Sequence, residues 1–398
     1  MGDIIRYLIE FLLYGNKDAI QWVGYTAEEK NWHQYKVVII PCGALGNRLV
    51  MPDLSSPQVE THTWDHEGQH GTTNLIRTDL IYNAFFFISR AEEILCSERD
   101  EHDRFLARHS VLGTDNRLQI PLIDEYGHLL LKLLQLPTPD QQLSAVYLTH
   151  DIDTLARYRH LRGALGGLRR GEGKQVWKAL QNIYDDPEYT FPWLIKQDAL
   201  LRDTSFPVYQ LYFAKDTFGS GFDYPQYNLD GYDFQYLAHR LNKSGAQIGW
   251  HSSYYRHLPR HNNPAINYSL HRSHYLRCSI DFMEQISHQG VMQDFSMGFA
   301  DQAGFRLQTT RPVRWMNPYT YELTSLVLHP LTAMDVTFSA PHYMGLDEDE
   351  AYFLCQRLID KTRQVGGEVV LLWHNSNVQR NSYHRRLYPT LLNYLKGQ

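Results

Sequence analysis

The chain has 398 residues, 43% of them hydrophobic, and a formal net charge of −6 with histidine neutral. That length allows two domains, or one large domain with an appendage, and the acidic balance offers no basic surface for nucleic acid. The aromatic content of 13% is rich in Tyr, whose apolar face and polar tip suit a carbohydrate cleft, although ordinary core and surface roles account for most such residues.

The first residues carry Ile4, Ile5, Leu8, Phe11 and Leu12 on one helical face, interrupted by Asp3, Arg6 and Glu10. The pattern predicts a docked amphipathic helix rather than a signal peptide, whose apolar centre is uninterrupted. No segment approaches the length of a membrane span. Cys42, Cys96, Cys278 and Cys355 share no C-x-x-C spacing, which points to free thiols in a reducing compartment and not to a zinc–thiolate cluster. The expected location is cytoplasmic.

The run YKVVIIPCG at Tyr35–Gly43 is β-branched and ends in Gly, as a short buried strand does. HTWDHEGQHG (His62–Gly71) holds three His and two acidic residues but no flanking apolar run, so it is expected to be a polar loop. Asp79 is a plausible N-cap for one long, mostly buried helix running on through RAEEILCSERDEHDRF. The segment LPTPDQQLS (Leu136–Ser144) combines two prolines with polar residues and sets the expected boundary, with an α/β domain over 1–140 and a second domain over 141–398.

Beyond it, strand-like runs are expected at SAVYLTH, PVYQLYFA, AQIGWHS, LHRSHYLR, MQDFSMGF, MDVTF and EVVLLWHN. Helical patterns lie between several of them, at PWLIKQDALLR, DFQYLAHRLNKSG, IDFMEQISHQG and EDEAYFLCQRLIDKTRQVGG. Such alternation predicts a parallel sheet, open or closed into a barrel, with its site at the carboxyl ends of the strands.

Four of those ends carry chemistry. Asp151 and Asp153 follow the first strand, His251 the third, Arg272 and His274 the fourth, and His374 the last. One carboxylate with two imidazoles is a recurrent ligand set for a divalent metal with open positions. A metal so held acidifies a water and polarises a carbonyl, and a second carboxylate nearby can act as base. Each residue has a plainer reading alone: Asp-x-Asp as a loop or helix cap, one His after a strand as a core residue, His257 in RHLPRH as a surface residue. The weight lies in several such ends occurring in order.

That order resembles the polysaccharide deacetylase family, carbohydrate esterase family four. Within it, LTHDID, IGWHSSY, RSHYLR, DFSMGFADQAGFR and LLWHNS resemble a bacterial branch tied to surface-polysaccharide gene products, the WbmS-like group. AFFFISRAEEILCSERDEHDRF and PLIDEYGHLL resemble the accessory domain that precedes the deacetylase in that branch. The resemblance implies a distorted (β/α) barrel after a smaller α/β domain, and a zinc-dependent N-deacetylase of an N-acetylated sugar in surface-polysaccharide metabolism. It implies Asp151 as base, Asp153 and His251 as metal ligands and His374 as acid, with Arg272 orienting the base. The family's second metal His falls at Tyr255 here, so the third ligand is expected to be His274, with His257 as the alternative and Tyr255 left to face substrate. Arg306 in AGFR is expected either to contact substrate or to pair with a carboxylate. Loss of that His also allows a degenerate fold that binds carbohydrate without chemistry, and an amide hydrolase acting on a non-sugar substrate remains a third reading.

Overall fold

The computed structural model describes residues 1–216, 221–259 and 263–397. The N-terminal pattern forms a helix over Gly2–Leu12 that buries Ile4, Leu8, Ile9, Phe11 and Leu12. A small sheet follows, built from β1 (Val23–Tyr25), β2 (Val37–Ile39), β3 (Val59–His66) and β4 (Gln69–Ile76) in the order β1-β2-β4-β3. Here the sequence reading fails: the polar stretch at His62–Gly71 is no loop but the end of the antiparallel β3–β4 hairpin, with Asp65 opposite His70. Most of β3 is exposed, so its strands carry no apolar alternation to read. Glu67 and Gly68 turn the corner with φ of 49° and 79°, the left-handed pair that a two-residue hairpin turn requires.

Asp79 does cap a helix, accepting from the Tyr82 N–H at 2.8 Å, but the helix covers only Leu80–Ile88. Arg90 takes a φ of 63° and the Ala91 N–H bonds back to the Phe86 carbonyl, a left-handed C-terminal cap. The Arg90 side chain is then committed to Glu93 and to the Cys278 carbonyl. A buried ion pair thus ends a helix that periodicity alone would continue.

The larger sheet comprises β5 (Ala145–Ile152), β6 (Val208–Lys215), β7 (Gln247–Ser252), β8 (Asn267–Ser273), β9 (Gln293–Met297), β10 (Val313–Met316), β11 (Leu323–Pro330), β12 (Ala333–Met334) and β13 (Glu368–Leu372). Their order is β10-β11-β9-β8-β7-β6-β5-β13-β12, parallel throughout except for β10 against β11. The sheet curls. The Leu331 N–H bonds Met297 of β9 while the Thr332 N–H bonds Val370 of β13, so the segment joining β11 to β12 bridges two strands that are far apart in the sheet order.

The expected helices form at Phe191–Asp198, Tyr232–Ser244, Ile280–His288 and Glu348–Gln364. Two expected strands are corrected. LHRSHYLR leaves the sheet at Ser273 and passes into a tight turn at His274–Leu276. MDVTF gives only the two-residue β12 and then a helix, Asp335–Ser339, whose first residue accepts from the Val336 and His374 N–H groups. The β10–β11 hairpin was not anticipated.

Apolar packing is continuous between the two sheets. Leu8, Phe85 and Ile123 share one cluster with Trp315 and Leu328. Arg311 is held between the rings of Phe11 and Tyr14 and bonds Asp124. Inside the curl, Leu211, Phe213, Leu270, Phe295, Val370 and Leu372 form a separate apolar floor.

Candidate functional site

Strand side chains alternate between faces, and this parity builds the site. Counting outward from the floor, Phe213 leads to Lys215 on β6, Leu270 to Arg272 and His274 at β8, and Leu372 to His374 after β13. On β5 the same face carries Thr149, Asp151 and then Asp153. The opposite parity goes elsewhere: His150 donates to the Trp373 carbonyl and meets Asp198 in the helical layer. The apolar floor therefore ends in a ring of polar groups at the carboxyl ends of the strands.

Asp153 Oδ1 lies 3.1 Å from His274 Nε2 and 3.4 Å from His251 Nε2. Each imidazole is oriented from behind. The His251 Nδ1–H donates to the Arg272 carbonyl at 2.9 Å, and His274 Nδ1 meets Asp223 Oδ1 at 3.1 Å. Both rings thereby present Nε2 to the pocket, as metal-binding histidines do. Ligand atoms of Asp153, His251 and His274 all lie within 4.8 Å of one another. A tetrahedral zinc ion sits ~2.0–2.1 Å from such donors, which sets them ~3.3–3.5 Å apart. The donor set also fits by its shortage of partners: Asp151 Oδ1, Asp153 Oδ1 and His251 Nε2 are buried without a hydrogen bond, and buried polar atoms left so are costly. The residues fit a divalent cation.

Burial alone would raise the Asp153 pKa, but the neighbouring His274 and Lys215 charges hold it well below the ordinary carboxylate range. Burial lowers that of His251 and so favours its neutral form. His274 is also pushed down by burial, but Asp153 and Asp223 outweigh this and raise it.

Asp151 stands beside this group. Its carboxylate is 3.7 Å from His251 Nε2 and 3.8 Å from Arg272 Nη1. Arg272 is fully buried, donates to Thr149 Oγ1 at 2.9 Å and lies against the Phe213 ring. Opposite, His374 places Nε2 3.8 Å from both Asp151 and Asp153, while its Nδ1–H donates to Asp335 at 2.7 Å. Burial would lower the His374 pKa, but Asp335 dominates and raises it to about 9.

Asp151, Asp153, His274 and His374 open into a cavity of about 510 Å³ whose wall includes Phe222, Tyr224, Tyr275 and Tyr343, with His251 and Arg272 buried behind them. The N-terminal part of the chain contributes Glu101, His102 and Arg104 to the same cavity. Arg104 donates to Asp100 and to the Tyr343 hydroxyl, and Arg277 bonds the His102 carbonyl.

Six predicted residues thus come together: Asp151, Asp153, His251, Arg272, His274 and His374. The other predicted residues do not join them. Arg306 is buried against Glu93 at 2.6 Å and the Gly298 carbonyl; of its two expected uses, it takes the carboxylate pairing, and its charge is spent away from the cavity. Tyr255 is 57% exposed, packs on Tyr254 and His257, and is not part of the cavity wall. His257 is exposed and lies outside the three-donor group, in keeping with its plainer reading as a surface residue. Sequence reasoning missed Asp223, Asp335 and Lys215. Lys215 had a signal, being two residues beyond Phe213 on a strand. The two Asp residues lie in a turn and a short helix, where no period marks the side that faces the site.

A family model, DUF7033, described as a family of unknown function, matches residues 10–139. No curated protein matches the chain. Among solved structures, a Mycobacterium smegmatis protein provisionally assigned as a polysaccharide deacetylase aligns with a TM-score of 0.41 and 13% identity, covering 65% of this chain and 86% of that one. A likeness of that depth carries no argument about the chemistry.

Proposed function

We propose that the protein is a metal-dependent hydrolase that removes the acetyl group from an N-acetylated sugar or glycan precursor. In this reading residues 141–398 form a distorted (β/α) barrel of the deacetylase type and residues 1–140 an accessory domain that supplies part of the pocket wall. The observation that carries it is the convergence of two carboxylates and three imidazoles at one polar rim, with three of their atoms buried without a hydrogen bond.

Asp153, His251 and His274 would hold the ion, with zinc favoured by the mixed nitrogen and oxygen donors. A bound divalent ion would supply a Lewis acid for the amide carbonyl and make a water more acidic. Asp151 accepts the proton of the attacking water, and Arg272, 3.8 Å away, orients that carboxylate. His374, held protonated by Asp335, gives a proton to the departing nitrogen as the C–N bond breaks, leaving acetate and the amine. The aromatic wall suits a sugar ring, which offers an apolar face and polar edges. Four free cysteines fit a cytoplasmic location.

A second reading, a carbohydrate-binding protein without turnover, is favoured by Lys215. Its ammonium lies 3.5 Å from Asp153 and supplies positive charge where the ion would sit. Metal analysis of the purified protein with an assay for released acetate separates the two. The hydrolase predicts one zinc per chain and turnover, and Asp151→Asn keeps the zinc while losing turnover. Full activity in that variant removes Asp151 from the chemistry, and a metal-free native protein favours the second reading.

A further inference from the structure

Immediately after Asp153 the chain leaves the sheet and forms two helices, Leu161–Arg169 and Gly173–Gln181. They fold back on each other through small residues. Ala164, Val176 and Ala179 pack with Tyr158, and a Cβ on Gly167 would come within 2.5 Å of Val176. The large apolar residues are left outside. Leu161 is 77% exposed and Trp177 64%, and Leu165, Leu168 and Leu180 are exposed as well.

These residues form a face. Leu161, Leu165 and Leu168 recur at helical spacing, as do Trp177 and Leu180. With 3.6 residues per turn, each stripe lies ~100° around its helix from the shared seam, in the same sense. In two helices that double back, equal rotations of one sense bring both stripes to one side. Five cations, Arg162, Arg169, Arg170, Lys174 and Lys178, accompany them against one carboxylate, Glu172, in a protein whose net charge is −6. Glu172 is already bonded to Arg170 and Tyr158.

We propose that this hairpin docks the protein on an anionic lipid bilayer. Leucines and a tryptophan bordered by long basic side chains, on a helix pair with no span of its own, have the composition of an interfacial element: the apolar stripe enters the headgroup boundary and the cations reach anionic lipid. A second copy is the poorer occupant, because a two-fold contact would set one group of five cations against another. No helix among the described residues is long and apolar enough to cross a membrane, so the contact is peripheral.

The hairpin also adjoins the pocket. Tyr224 lines the cavity; its hydroxyl bonds His160, which caps the first helix, and Arg162 lies over its ring at 4.9 Å. Docking brings the cavity mouth near the lipid surface. Resting on the hydrolase reading, this makes the substrate a sugar carried on a membrane lipid.

Flotation of the full-length protein with vesicles tests the docking. Phosphatidylcholine vesicles containing one-third phosphatidylglycerol are compared with phosphatidylcholine alone, in about 0.1 M salt, where surface charge still acts over ~10 Å. Binding is expected on the anionic vesicles and at least about tenfold weaker on the neutral ones. Leu168→Glu with Trp177→Glu should weaken it at least about tenfold, and Lys174→Glu with Lys178→Glu at least about 30-fold, with unchanged melting temperatures. Asp151→Asn should float like the native protein, so failure of the hydrolase reading and failure of docking are separate results. No flotation, or flotation indifferent to these substitutions, overturns the proposal. So does self-association that the substitutions abolish in a protein that ignores vesicles, which would assign the face to a second copy.

Discussion

Asp335 decides the charge on His374. Its two oxygens receive the His374 Nδ1–H, the His374 backbone N–H and an Asn377 amide N–H, and the fully buried carboxylate is held below the ordinary range: burial opposes this, but the His374 charge prevails. Asn at position 335 keeps the shape and, through its one carbonyl oxygen, half of the accepted hydrogen bonds, but removes the charge that favours imidazolium. If His374 protonates the leaving group, Asp335→Asn should lower kcat by about 10² or more, the range ascribed to a lost general acid, with KM and zinc content nearly unchanged. A parallel fall in zinc content would instead make Asp335 a support of the metal group. Asp151, Asp153, His251 and His374 could be read from sequence because each ends or follows an apolar run, where a polar group stands out; Arg272 and His274 lie in the polar stretch HRSH, and their roles rest on the family resemblance. Asp335 and Asp223 could not be read, because their partners are set by the folding of loops between strands.

The same contrast holds for whole elements. Buried parallel strands such as β5 and β13 read directly from continuous β-branched runs, and helices with a polar face read from their period. β3 is polar on both faces, and the helix after Asp79 stops at Ile88, far short of the expected end at Phe105; in both, tertiary contacts override the local signal. The hairpin at 161–181 is a subtler case. Its apolar period is clear, but the small residues form the seam and the large ones face outward, which inverts the expected direction of burial. Gly167 is the test of that packing. Gly167→Val would thrust branched carbons into Val176 and Tyr158, and overpacking of this kind costs about 1–3 kcal/mol. The helices should separate locally, seen as new protease cleavage between 160 and 182, while the melting of the sheet stays near the native value. Resistance to cleavage equal to that of the native protein would mean that the two helices are not packed through this seam.

At the scale of the molecule, the question is what binds the first 140 residues to the curled sheet. Apolar packing is joined by ion pairs held out of water: Arg311 with Asp124, and a second built on Glu93. Glu93 lies between Arg90 of its own turn and Arg306, which follows β9, at 2.7 and 2.6 Å. Burial would raise its pKa, but the two guanidinium groups prevail and lower it to about 2, from an ordinary value of 4.5. A carboxyl with a folded pKa below its unfolded one contributes stability that is complete above the unfolded value and is lost as pH falls toward the folded one. The native protein should therefore lose melting temperature between about pH 4.5 and 2 through this group in addition to its other carboxylates. Glu93→Gln leaves two buried guanidinium groups short of a counter-charge and should cost about 3–5 kcal/mol at neutral pH. The difference in stability between native protein and variant should then shrink as the solution is acidified through that window, because protonation removes from the native protein the charge that the variant lacks. Melting curves of both proteins across this pH range check it. A difference that stays constant with pH would mean that Glu93 holds the two regions together by shape and hydrogen bonding rather than by its charge.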